Sequence, residues 1–116
     1  MLKFFKSFGF AWEGILVGLK TERNLNFHVF SAVIVVIAGF LTGLTTVEWF
    51  IVILLCGGML SLEMMNTAIE RVVDLVTEED HPLAKQAKDL AAGAVLIYAI
   101  VSAVIGLLIF VPKWFI

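Results

Sequence analysis

The sequence predicts an all-α integral membrane protein, in which an amphipathic N-terminal helix precedes three membrane-spanning helices. Of the 116 residues, 61% are hydrophobic and only 16% are charged, and the mean hydropathy is +1.04. These values lie outside the usual composition of soluble domains. Three apolar stretches of membrane-spanning length leave too little chain for a separate soluble module. We therefore expect a single membrane-embedded domain over 1–116.

The N-terminal segment, 1–20, predicts a helix that lies in the membrane interface. Large apolar side chains recur at helical spacing from Phe4 to Leu19, and Lys3 and Lys6 interrupt the apolar pattern. Aromatic residues on one face with basic residues beside them are typical of interfacial helices. The segment lacks the continuous apolar stretch and cleavage site of a signal peptide, so we expect it to be retained.

Three apolar stretches predict the spanning helices. The first runs over 26–44 and includes His28 among its few polar side chains. The second runs over 47–76, where the helical pattern continues into charged residues and projects beyond the bilayer. A polar loop then leads to Pro82, which suits the first turn of a helix, and the third span follows over 83–111.

The basic residues predict how the chain crosses the membrane. Four of them precede the first span, and three flank the loop between the second and third spans. The hairpin between the first and second spans has none, and Lys113 stands at the opposite end as an interfacial anchor. Because Lys and Arg are enriched on the cytoplasmic side, we expect the N-terminus and the acidic loop to face the cytoplasm.

Four polar residues lie on one stripe of the second span: Glu63, Asn66, Glu70 and Asp74. Their separations of three, four and four positions place them within roughly 80° on one helix face. Counted from Val47 at about 1.5 Å per residue, Glu63 lies roughly 24 Å into a hydrocarbon core about 30 Å thick. A carboxylate at that depth suits a general base that takes a proton from an alcohol. The alternative is a carboxyl group that only joins helices by hydrogen bonding.

Further charges at the cytoplasmic level indicate a cation site. Glu70 lies nearer water, and Glu22 stands just before the first span, so together they offer the oxygen ligands that Mg²⁺ prefers. For Glu22 alone, the alternative is a solvated charge paired with Lys20 or Arg23.

The start of the third span indicates an anion site. Lys88 is suited to neutralise phosphate charge, and Asp89 to orient a phosphate or a nucleotide hydroxyl, whereas we expect Lys85 to be a flanking charge. No phosphate-binding loop or soluble-kinase signature is present. The net charge of −2 gives no reason to expect nucleic-acid binding. The residues alone therefore indicate a cation and anion site at a cytoplasmic membrane interface.

Two motifs resemble those of the prokaryotic diacylglycerol kinase and undecaprenol kinase family. They are EMMNTAIE at 63–70, followed by Asp74, and AKDLAAGA at 87–94; GFAW at 9–12 and Glu22 extend the resemblance over nearly the whole chain. The resemblance implies a homotrimeric lipid kinase of the bacterial inner membrane. It also implies ATP as the phosphoryl donor, Mg²⁺ as the cofactor and a lipid alcohol of the bilayer as the acceptor.

The resemblance further implies roles for individual residues. Glu63 would be the catalytic base, Asn66 would support the reacting groups, and Glu22 and Glu70 would bind the metal and the nucleotide. The remaining residues of the nucleotide site would be Lys3, Phe10, Glu79, His81, Lys88 and Asp89. Lys3 replaces an arginine that is common in the diacylglycerol kinases.

Three features resemble the Gram-positive undecaprenol kinases: Thr67, the ERN cluster at 22–24 and HPLA at 81–84. They favour undecaprenol as the substrate, with recycling of the lipid carrier for cell-wall synthesis as the role. The alternative substrate is diacylglycerol, whose product would be phosphatidic acid.

Two alternatives belong to other functional classes. A small transporter or channel can use a membrane-embedded carboxylate as a proton or cation site, but here the polar residues gather at the cytoplasmic end rather than at the midplane. A structural subunit without activity would leave four further charges without a common role: Glu22, Glu70, Lys88 and Asp89.

Overall fold

The structure, a computed structural model, describes all 116 residues and contains four helices joined by short connections. They are α1 (Leu2–Thr21), α2 (Arg23–Thr42), α3 (Thr46–Val76) and α4 (Pro82–Phe115). By length and composition, α2, α3 and α4 can each cross a membrane. The prediction of an all-helical chain with three helices long and apolar enough to span a membrane is therefore confirmed.

A single extended residue, Glu22, separates α1 from α2. Its backbone angles, φ −111° and ψ 111°, interrupt the helix. The side-chain Nδ2 of Asn26 then donates to the carbonyl oxygens of Leu19 at 2.7 Å and Glu22 at 3.1 Å, which satisfies carbonyl groups at the end of α1. Leu25 packs closely on Gly18, where a Cβ would lie 2.8 Å from the leucine Cδ2. Because Glu22 alone interrupts the helix, α2 begins at Arg23, three residues before the position predicted from the sequence.

The turn between α2 and α3 is defined by a glycine and a capping box. Gly43 ends α2 with φ +80°, in the left-handed region that favours glycine. At the start of α3, Thr45 Oγ1 accepts from the Glu48 N–H at 3.2 Å, and the Glu48 carboxylate accepts from the Thr45 N–H at 2.9 Å. The first span is therefore two residues shorter at this end than predicted.

The last turn of α4 is bound to α2 and α3. Lys113 Nζ lies 3.0 Å from Oε1 of Glu48, and the Trp114 indole N–H donates to Thr42 Oγ1 at 2.8 Å. Pro112 lies within this last turn, where its missing N–H removes only one intrahelical hydrogen bond. Because these contacts hold the turn in place, α4 ends four residues beyond the predicted position 111.

The helix α3 lies at the centre of the bundle. It packs against α1, α2 and α4, whereas α1 and α4 do not contact each other. A small apolar cluster near the Lys113 end consists of Val52, Ile109 and Phe110. Most other large apolar side chains are exposed on the single chain, as expected for surfaces that face lipid tails or another subunit.

Tyr98 fixes the packing of α4 on α3. Its hydroxyl donates to the Leu54 carbonyl at 3.0 Å, and its ring lies across Gly58. A Cβ at Gly58 would clash with the phenol group, whereas a Cβ at the neighbouring Gly57 would meet nothing within 4 Å. The close approach of α3 and α4 therefore requires a glycine at position 58 but not at position 57.

We expect Gly58→Ala to lower the midpoint of thermal unfolding in detergent relative to Gly57→Ala. Both substitutions raise helix propensity by a similar amount, so the difference isolates the contact with Tyr98. Overpacking at a tight contact corresponds to about 1–3 kcal/mol in the free energy of unfolding. Equal midpoints for the two variants, measured by circular dichroism, would contradict the packing described here.

Candidate active site

The polar stripe of α3 leads from the interior of the bundle to its surface. Glu63 is 4% exposed and Asn66 is 8% exposed, and Thr67 beside them is 9% exposed. Farther along the helix, Glu70 is half-buried and Asp74 is exposed. Three of the ten buried residues of the chain are thus polar, and all three lie on one short segment of α3.

A histidine from α2 approaches the buried carboxylate. His28 Nε2 lies 3.5 Å from Oε2 of Glu63, and the imidazole is itself mostly buried. The sequence-based candidates did not include His28, because its partner lies on another helix and the pairing leaves no local pattern. The available signal was its position as one of the few polar residues in an apolar span.

Asn66 links the stripe by one hydrogen bond and leaves one acceptor free. Its Nδ2 donates to Oε1 of Glu70 at 3.3 Å, whereas its Oδ1 is buried without a hydrogen-bond partner in the chain. A buried acceptor without a donor costs about 1–3 kcal/mol. The amide oxygen is therefore positioned to accept from a hydroxyl group or a water at this site.

Glu22 is bound to α3 through an arginine. The Arg71 Nη2 donates to Oε1 of Glu22 at 3.1 Å and to Thr21 Oγ1 at 2.7 Å. The alternative in which Glu22 pairs with Lys20 or Arg23 is wrong, because the corner between α1 and α2 directs this carboxylate toward α3. The contact connects the α1–α2 corner to the outer part of the stripe.

The two predicted metal ligands are each held by a residue of α3: Glu22 by Arg71, and Glu70 by Asn66. Arg71, which holds Glu22, directly follows Glu70 in the chain. No group of three or more His, Cys, Asp or Glu side chains is close enough to hold a metal ion by itself. Mg²⁺ is usually bound through one or two carboxylates together with substrate phosphates and water. The oxygen donors of Glu22 and Glu70 are of the type that this ion prefers.

The connection between α3 and α4 forms an open groove of about 690 Å³. Three residues of the predicted nucleotide site line it: Glu79, His81 and Lys88. Lys88 Nζ forms an ion pair with Asp74, which joins the start of α4 to the outer end of the stripe. The groove thus continues the series of polar groups that begins at Glu63.

Two further predicted residues make local contacts at the start of α4. His81 Nδ1 accepts from the Leu83 N–H at 3.1 Å and so caps the helix. Asp89 forms an ion pair with Lys85 one turn earlier, and both side chains are largely exposed. Asp89 does not line the groove.

Lys3 and Phe10 are exposed on α1, which does not contact α4. One chain therefore links Asn66 with Glu70 and holds Glu22 against α3, but it does not bring α1 into contact with α4. Neither Lys3 nor Phe10 is among the residues that line the groove.

The sequence model of the prokaryotic diacylglycerol kinase family matches residues 9–110. The chain belongs to this family. It is 58% identical to the undecaprenol kinase of Bacillus subtilis over 111 residues, which cover 96% of this chain and 90% of that protein. It is 41% identical to a diacylglycerol kinase of Synechocystis (91% of this chain, 61% of that protein) and 29% identical to one of Escherichia coli (85% and 81%). The resemblance inferred from the motifs is confirmed.

Because the chain belongs to a lipid kinase family, the polar stripe is a candidate site for phosphate transfer to a lipid. The family match includes every predicted site residue except Lys3. The stripe on α3 and the groove beside it lie on a protein with three helices able to span a membrane.

We expect Arg71→Leu to increase amide hydrogen exchange across the α1–α2 corner severalfold, because it releases both Thr21 and Glu22 from α3. The matched control is Arg23→Leu, which removes the same charge at the same corner but breaks no ion pair. Exchange measured by mass spectrometry on peptides that cover 19–26 checks the prediction. Equal exchange in the two variants would show that the arginine contact does not order this corner.

Proposed function

We propose that this protein transfers the γ-phosphate of ATP to undecaprenol in the bacterial inner membrane and so forms undecaprenyl phosphate. The observation that carries the proposal is the 58% identity to an undecaprenol kinase, compared with 41% or less to the two diacylglycerol kinases described above. The product would return the lipid carrier to cell-wall synthesis.

Glu63 acts as the general base in this proposal. The lipid hydroxyl oxygen attacks the γ-phosphorus in line; its O–H bond breaks, the proton passes to the carboxylate, and the bond from phosphorus to the ADP oxygen breaks. The burial of Glu63 supports the role, because a water-excluded carboxylate meets an alcohol that arrives through lipid. Asn66 keeps Glu70 in place through Nδ2 and offers Oδ1 to a donor at the reacting centre.

Glu22 and Glu70 would hold Mg²⁺ together with the phosphates of ATP. When bound, the ion neutralises charge on the phosphate oxygens during transfer. Two contacts support the assignment, since each carboxylate is fixed through one oxygen: Glu22 by Arg71, and Glu70 by Asn66. The second oxygen of each carboxylate makes no hydrogen bond within the chain and remains free to bind an ion.

The nucleotide would lie at the groove between α3 and α4. Lys88 would neutralise phosphate charge, and Glu79 and His81 would contact the rest of the nucleotide. Asp89, which lies outside the groove lining, would contact a part of the nucleotide that extends beyond the groove. Because α1 does not contact α4 within one chain and neither Lys3 nor Phe10 lines this groove, we propose that α1 of a second protomer completes the site in a homotrimer. The extensive apolar surface of the single chain is compatible with such an assembly.

In this arrangement α1 lies in the cytoplasmic interface as an amphipathic helix. Its exposed aromatic side chains suit contact with lipid: Phe4, Phe5, Phe8 and Trp12. The basic residues near the N-terminus and around the α3–α4 connection favour the cytoplasmic side for both. ATP would then enter from the cytoplasm, and the lipid from the bilayer.

The proposal predicts that purified protein in mixed micelles transfers labelled γ-phosphate from Mg·ATP to undecaprenol in preference to diacylglycerol. Glu63→Gln should lower the rate about 10²–10⁴-fold, because the amide cannot accept the proton. The matched control is Glu13→Gln on exposed α1, which should keep the wild-type rate. Preference for diacylglycerol would assign the other substrate, and no transfer to either lipid by folded protein would favour a transporter.

The metal assignment predicts a change in the magnesium requirement. Glu22→Gln and Glu70→Gln should each raise the Mg²⁺ concentration needed for half-maximal rate severalfold, because each removes one anionic oxygen ligand. Magnesium titrations at saturating ATP and lipid measure the effect, with Glu13→Gln as the unchanged reference. Rates that fall without any shift along the magnesium axis would contradict the assignment.

A further inference from the structure

We propose that His28 is a positioning residue for Glu63, which holds one carboxylate oxygen so that the other faces the lipid hydroxyl. The inference rests on the proposed kinase function, since it assigns a further residue to the same site. The two side chains come from different helices, and Nε2 of the imidazole lies 3.5 Å from Oε2 of the carboxylate.

The contact matters because the carboxylate and the imidazole are both largely buried. Only 5% of the Glu63 side chain and 18% of the His28 side chain are exposed. A carboxylate removed from water is strongly destabilised unless another group pairs with it or donates a hydrogen bond. None of the other ion pairs in the chain involves Glu63, and His28 is the one basic side chain within ion-pair distance of its carboxylate. His28 is therefore the one group in the chain available to hold the base.

The contact is made by one oxygen only. Oε2 faces the imidazole, and Oε1 has no hydrogen-bond donor in the chain. A general base has to approach the proton that it removes, within about 2.6–3.2 Å of the donor atom, and catalytic hydrogen bonds often tighten when the substrates bind. A histidine that donates from Nε2 to Oε2 would restrict rotation of the carboxylate and leave Oε1 for the alcohol.

Two amide substitutions distinguish positioning from simple packing. The Gln side chain places its amide nitrogen near the position of Nε2, which faces Glu63. The shorter Asn side chain places its amide nitrogen near the position of Nδ1 instead. Both remove the imidazole ring and its packing against α3, so His28→Gln and His28→Asn differ mainly in whether a donor reaches the carboxylate.

For phosphate transfer to undecaprenol, we expect His28→Asn to lower kcat about 10–100-fold, with the KM values for ATP and lipid within about twofold of wild type. This range is that found when residues that orient metal-ligating side chains are removed, and we expect a similar loss for a residue that orients a general base. His28→Gln should restore kcat to within about threefold of wild type. Equal losses in the two variants, or losses that follow a lower midpoint of thermal unfolding, would overturn the inference.

A second measurement does not depend on activity. The chain has two histidines, so ¹⁵N spectra of histidine-labelled protein contain two imidazoles, and the signal that His28→Gln removes identifies His28. We expect a proton on Nε2, and a change in its ¹⁵N shift in Glu63→Leu while the His81 signal stays in place. An unchanged His28 signal would overturn the inference even in an active kinase. If the wild type transfers no phosphate, the proposed function fails, and the spectra still decide whether His28 holds Glu63.

Discussion

The structure depends on the requirement that a polar stripe on α3 remain buried in a bundle whose other surfaces are apolar. Glu63 and Asn66 are among the least exposed residues of the chain, although the helix that carries them has the length and composition of a membrane span. In hydrocarbon, such groups are stable only when they face protein partners or a polar cavity. Their burial is consistent with the central position of α3, which contacts all three other helices.

In the proposed function, the same stripe serves two substrates of opposite solubility. Its inner end is a buried carboxylate beside His28, and its outer end is an exposed ion pair between Asp74 and Lys88 at the edge of an open groove. Under the proposed function, a lipid alcohol would reach the inner end from the apolar side, and a nucleotide would reach the outer end from water. Because the helix rises about 1.5 Å per residue, Glu63 and Asp74 lie roughly 16 Å apart along its axis.

The sequence predicts the parts of this arrangement that repeat along one helix. The spacing of Glu63, Asn66 and Glu70 gives their common face, because 3.6 residues per turn is a local property. Contacts between helices depend on how each helix is rotated and packed, which local periodicity does not contain. The pairs Glu22–Arg71 and His28–Glu63 were missed for that reason. The extension of α4 past 111 likewise depends on partners in α2 and at the start of α3.

The two ends of the bundle differ in a way that suits catalysis. At one end, a capping box, an ion pair and an indole hydrogen bond join α2, α3 and α4. At the other end, charged side chains of the proposed site are held by solvent-accessible pairs such as Lys88 with Asp74. Exposed ion pairs contribute little to stability, so a phosphate group can replace Asp74 as the partner of Lys88 at little cost. These exposed contacts would therefore compete only weakly with an incoming phosphate group.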